Sequence, residues 1–174
     1  DITDGTSNTI AMSEGVRGWN GSNPLATTAG GDYRVLNTIV MNQNVNNPGS
    51  CRALATNGFY NAGLQVKGYR GRQIWDGQAE RVAFTTILPP NSVSCSAGNN
   101  ANADATDSVL PPTSLHTGGV HCLMADGAVR FISENIDSGN LSAASPPQAG
   151  SGLSPYGVWG GLGSKAGNET ISDF

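Results

Sequence analysis

Apolar residues are thinly spread along the chain, and where they gather the spacing is mostly that of strands. Residues 120–124 lead into the small turn Ala125-Asp126-Gly127-Ala128, and residues 129–132 lead out of it. Asp-Gly between two such runs predicts a β-hairpin, because both central residues of a type I′ turn need φ > 0. Thr117-Gly118-Gly119 makes a second turn in front of the hairpin, with His116 just before it. Near the start, a polar turn over residues 1–9 feeds Ile10-Ala11-Met12-Ser13-Glu14, where Ile10 and Met12 alternate with small or polar residues as in a half-buried strand. Residues 82–88, VAFTTIL, read as a further strand stopped by Pro89-Pro90.

Other stretches carry helical or loop signals. Val35, Leu36, Ile39 and Val40 fall at helical spacing, although their β-branched content suits an extended segment equally. Asn47 as N-cap and Pro48 as first residue open a short helix through Cys51, Ala53, Leu54 and Ala55. Ser154-Pro155 opens another, with Tyr156, Val158, Trp159 and Leu162 on the buried side and Gly163 as C-cap. Ile74 and Trp75 form the apolar centre of GYRGRQIWDG, which ends in a second Asp-Gly turn at Asp76-Gly77. Residues 19–32, 91–110 and 139–152 read as loops, and the stretch 91–110 has almost nothing to bury. The tail over 169–174 adds a final short strand. No repeat of solenoid period is present. The sum is a β-rich α+β fold with antiparallel sheet, a few short helices and long loops.

Length and charge narrow the picture. The 174 residues fit one domain spanning 1–174. Charged residues are 13% and the net charge is −4, which gives no electrostatic reason to seek nucleic acid or an anionic membrane. Gly occurs 24 times, about twice the usual ~7%, so turns should be plentiful. The sequence begins at Asp1 with no signal peptide and no apolar run near membrane length. Either the chain is cytosolic or an upstream export segment lies outside this numbering. Cys51 and Cys95 lie in polar contexts and Cys122 lies in a hairpin strand. A Cys51–Cys95 bridge would stabilise by ~3–4 kcal/mol and imply an oxidising compartment; two free thiols are the other reading.

Candidate chemistry is sparse. His116 and His121 are the two histidines. His121 should alternate with Cys122 and point away from that thiol, whereas His116 meets Asp126 if the hairpin register brings the strand ends together. Such a His–Asp pair serves best as a structural clasp. No Ser lies in a Gly-x-Ser-x-Gly context, and neither a P-loop nor a dinucleotide fingerprint is present. No small-molecule substrate suggests itself. Asp1, Asp4 and Glu14 offer oxygen ligands for calcium, without EF-hand spacing, and turn and cap roles suit these acids equally. Trp19, Trp75 and Trp159 read as core anchors rather than as the walls of a sugar site.

Several segments in order carry a family resemblance. SLHTGGVHCLMADGAVRFISENID, with His116, nine residues, then Asp126-Gly127, resembles the C-terminal signature of exported planctomycete proteins that have a prepilin-type N-terminus. ITDGTSNTIAMSEG, GRQIWDG, FTTILPPNSVSC and GLGSKAGNETISDF resemble further blocks of that family. The resemblance implies a pseudopilin-like protein related to type IV pilins and type II secretion, with a cleaved N-terminal helix followed by an α+β head. It implies that Cys51 and Cys95 are paired, and it makes His116, Asp126 and Gly127 structural motif residues with no catalytic role. Where the family often has Asn, this chain has His121. The chain then stands as the C-terminal part of a longer precursor, touching a membrane only through the absent helix. The expected function is a non-enzymatic exported subunit that assembles with itself or with other pilin-like subunits, as a surface filament, layer or pseudopilus. The alternative is an extracellular glycan- or calcium-binding module, with a hydrolase built on His116 and Asp126 third. No cofactor is implied beyond possible calcium.

Overall fold

The computed structural model describes residues 1–18, 27–71, 73, 75–100, 102–145, 152–169, 171 and 174. Trp19, Ile74 and half of the expected tail strand lie outside these residues. In chain order come β1 (Ile10–Ser13), β2 (Thr27–Thr28), β3 (Ile39–Val40), β4 (Ala55–Thr56), β5 (Phe59–Tyr60) and β6 (Gln65–Lys67). The helix α1 (Ala79–Val82), β7 (Ser94–Ser96), β8 (Ser108–Val109), β9 (Gly119–Met124), β10 (Val129–Ser133) and α2 (Gly157–Leu162) follow. The expected β-rich α+β fold is observed. A three-stranded antiparallel sheet runs β1-β9-β10, a five-stranded mixed sheet runs β2-β6-β3-β7-β8, and β4-β5 is a separate hairpin. Among the described strands only the β3–β7 pairing is parallel.

The five-stranded sheet is covered on both faces. Ile39 and Val40 of β3 point to opposite sides, as successive strand residues must, and both are fully buried. On the Val40 side the Cys51–Cys95 disulfide packs among Val35, Tyr60 and Val66. Tyr60 lies in the same cluster, and its single O–H lies within reach of the carbonyls of Thr38 (2.9 Å) and Ser94 (2.7 Å), at the ends of the two parallel strands. Lys67 and Glu80 form an ion pair at 2.6 Å with both side chains out of solvent. The Lys67 ammonium also donates to the Ala103 carbonyl at 3.1 Å, so each buried charge has partners, as burial demands.

The second core lies under the three-stranded sheet, where Val120, Cys122, Met124 and Ile132 meet Trp159 and Leu162 of α2. Trp159 and Leu162 are buried as expected, and the Trp159 indole N–H donates to the Leu88 carbonyl at 2.8 Å. The glycines that weaken α2 have a packing reason. A Cβ on Gly160 would overlap the Ser154 hydroxyl, and one on Gly161 would come within 3.0 Å of Ile171. Gly163 caps the helix with φ −91 rather than in the left-handed region.

Several expectations are corrected. Residues 83–88 form no strand: α1 ends at Val82, and the segment then carries Phe84 to the second core and Ile87 and Leu88 to the first. A segment shared between two cores has no single ladder to join. Residues 91–110 are not one exposed loop, since they hold β7 and β8 with Ser94, Cys95 and Ser96 fully buried. Over residues 33–43 a 3₁₀ turn, Val35–Asn37, precedes β3. Pro48 does start a 3₁₀ helix, Pro48–Leu54, without a capping bond from the Asn47 side chain. Trp75 is no core anchor, being 95% exposed. In the tail, the described residues Glu169, Ile171 and Phe174 are not in a strand. Among the described residues no helix is long and apolar enough to cross a membrane.

Candidate functional site on the outer face of the three-stranded sheet

The hairpin of β9 and β10 forms as Asp126-Gly127 between two strand-like runs predicts, in the register Leu123↔Val129 to Gly119↔Ser133. Its turn differs in type. Met124 pairs with Ala128 (N–H to carbonyl, 2.8 Å), the Gly127 N–H bonds the Met124 carbonyl at 3.0 Å, and Gly127 alone has positive φ, at 91. That is a type I turn closed by a left-handed glycine, the three-residue loop that follows two-residue ones in frequency. Asp126 uses Oδ1 to accept the Ala128 N–H at 2.9 Å.

Alternation along β9 sends Val120, Cys122 and Met124 inward and leaves His121 and Leu123 outward. His121 therefore points away from Cys122, as the strand period requires. Burial pushes the Cys122 thiol pKa up, partly opposed by its bond to the Ser13 hydroxyl at 3.3 Å. On β1 a bulge puts Ile10 opposite Met124 and Met12 opposite Leu123, so one residue is extra. An inserted residue reverses the faces beyond it. Met12 is consequently 65% exposed instead of buried.

Glu14 extends the β1 pairing by one residue. Its N–H donates to the His121 carbonyl at 3.2 Å, and the His121 N–H donates to Glu14 Oε2 at 2.9 Å. With Oε2 engaged, Oε1 faces two imidazoles: His116 Nε2 lies 3.3 Å away and His121 Nδ1 lies 3.6 Å away. His116 is held by its own loop. Its N–H donates to Ser114 Oγ at 3.1 Å, and the Ser114 N–H donates to Asn91 Oδ1 at 2.8 Å. The two glycines that follow have different jobs. Gly118 sits at φ 86, while a Cβ on Gly119 would overlap the Ile132 carbonyl across the hairpin. The imidazoles meet edge to face at 4.8 Å between centroids, and His121 meets Phe131 at 5.2 Å. Partial burial raises the Glu14 pKa, but the His121 amide, the Ser114 hydroxyl and the two imidazoles outweigh it and hold the carboxyl below its usual value.

Among the described residues, Glu14, His116 and His121 make up the group of His, Cys, Asp or Glu side chains close enough to share a metal ion. The structure thus regroups the residues singled out from sequence. His116 does not meet Asp126: they flank opposite ends of β9, separated by roughly 20 Å of extended chain. An antiparallel register brings His116 to the far end of β10 instead. Glu14 does not join Asp1 and Asp4 around calcium. Asp4 accepts the Gly167 and Asn168 N–H groups at 2.7 and 2.9 Å, and Asp1 is exposed outside the cluster. Cys51 and Cys95 are joined, with Cα atoms 6.3 Å apart. The partnership of Glu14 with His121 had no signal in the sequence, because 107 residues separate them.

Beside this cluster the same face is apolar and exposed. Met12 (65%) and Val129 (64%) both lie opposite Leu123, and Phe131 (46%) lies opposite His121. A family model described as "Protein of unknown function (DUF1559)" matches residues 1–139, which takes in all three strands and the turn. No curated protein and no solved structure matches the chain.

Proposed function

The chain belongs to the DUF1559 family of proteins of unknown function, and from that premise we propose that it is a non-enzymatic, exported structural subunit. In this reading it is pilin- or pseudopilin-like and assembles with copies of itself at the cell surface, as a filament, layer or secretion pseudopilus. The observation that carries the reading is the outer face of the three-stranded sheet. Met12, Leu123, Val129 and Phe131 form an apolar row across three strands, with Glu14 at its margin. Among the described strands β10 ends the sheet, and an edge strand is a ready template for pairing with another chain.

A second copy is the occupant that fits. A two-fold contact sets the same patch against itself, and an uncharged apolar row meets its own copy without repulsion. The buried disulfide supports an oxidising destination, and the ordered sequence blocks support kinship with prepilin-type proteins. Electron microscopy of the native-length protein tests this: filaments or lattices are expected, and a strictly monomeric protein would sink the reading.

Trp75 favours one second reading, an extracellular glycan-binding module. Trp75 is 95% exposed, next in sequence to Asp76, which pairs with Arg81, and an exposed indole is a stacking platform for a sugar face. Calorimetry against a glycan panel decides it. Flat titrations, or heats unchanged in Trp75→Ala, remove it.

A further inference from the structure

We propose that Glu14, His116 and His121 form a three-ligand site for a borderline divalent metal ion, with zinc the best fit. The proposal stands whether or not the subunit self-assembles. One donor atom from each residue lies within 4.8 Å of the others, and Glu14 Oε1 is 3.3 and 3.6 Å from the two imidazole nitrogens. A tetrahedral ion with nitrogen and oxygen ligands at about 2.0–2.2 Å holds those ligands roughly 3.3–3.5 Å apart. Two of the three edges are therefore at or close to the required length. The third closes by rotating His116, whose side chain is 57% exposed.

The carboxylate is oriented before any ion arrives. Oε2 is committed to the His121 N–H at 2.9 Å, which turns Oε1 toward both rings. Hydrogen bonding among the three does not explain the convergence. The 3.6 Å approach of His121 is beyond hydrogen-bond length, and the 3.3 Å approach of His116 is longer than a usual N–H···O bond. A cation between them satisfies all three donors at once. The donor set also decides the class of ion, because two imidazoles with one carboxylate suit zinc, copper or nickel, whereas calcium and magnesium prefer oxygen. Three protein ligands leave a coordination position facing solvent, open to water or to a donor from another chain.

Zinc chloride titrated into the metal-stripped full chain by calorimetry provides the test. One ion per chain is expected, with no heat from calcium chloride. His116→Ala and His121→Ala should each weaken zinc binding by at least about tenfold, since loss of even an outer-shell partner costs roughly 10–100-fold. The sequence holds only these two histidines, so the imidazole NMR signals give an independent readout in the unaltered protein. Both rings should shift together on adding one equivalent of zinc. No zinc binding, imidazole signals that ignore zinc, or variants that bind as tightly as the parent would each overturn the site.

Discussion

The five-stranded and three-stranded sheets differ in what their second face meets. In the first, Ile39 and Val40 are both fully buried, a disulfide crosses one core, and an ion pair is sealed out of solvent. In the second, one face covers Trp159 and Leu162 while the other presents Met12, Val129, Phe131 and the Glu14–histidine cluster to solvent. The folding devices are concentrated where both faces are closed. The exposed groups stand on the outer face of strands whose inner face packs on the core. The difference predicts that the two regions can be broken separately, one through stability and the other through association and metal binding.

The largest expected effect is in the closed region. Lys67→Met leaves Glu80 buried and uncompensated, and should cost about 3–5 kcal/mol in urea unfolding. Lys67→Met with Glu80→Leu should recover most of that loss, and a double variant as unstable as the single would contradict the ion-pair reading. Next comes Cys51→Ala with Cys95→Ala. Opening a loop of 44 residues should cost about 4 kcal/mol on the chain-entropy model, seen equally on adding reductant to the parent protein. Under the other sheet, Gly160→Ala sets two effects against each other. Helix propensity favours alanine by about 1 kcal/mol, yet the Cβ would overlap the Ser154 hydroxyl, so a net loss of about 1–3 kcal/mol is expected. The smallest stability effect belongs to the outer face, where Val129→Glu should change unfolding by no more than about 0.5 kcal/mol.

The same division explains which features were legible in the sequence. β9 and β10 are strand-like runs on either side of Asp126-Gly127, so the hairpin can be read directly, although a type I turn with one left-handed glycine replaces the type I′ turn. β7 cannot be read that way. Ser94 and Ser96 are fully buried but not apolar, and the strand is fixed by its bridged cysteine and neighbours rather than by a period. On β1 the pattern placed the strand, but the bulge reversed Met12, which no alternation shows. The sequence pairs His116 with Asp126 and Glu14 with Asp1 and Asp4, whereas the folded sheet brings His116 and Glu14 to each other. Spacing along a chain says little about pairing across a ladder, and β1 meets β9 only in the folded sheet.

Sedimentation velocity on the oxidised, native-length protein most directly tests whether the open sheet face is the working surface. The parent and Val129→Glu with Phe131→Glu would be run over the same concentration series, with unfolding midpoints measured alongside. The parent is expected to associate with rising concentration, and the double variant to remain monomeric with an essentially unchanged midpoint. A parent that stays monomeric throughout, or a double variant that associates as the parent does, would contradict the assignment.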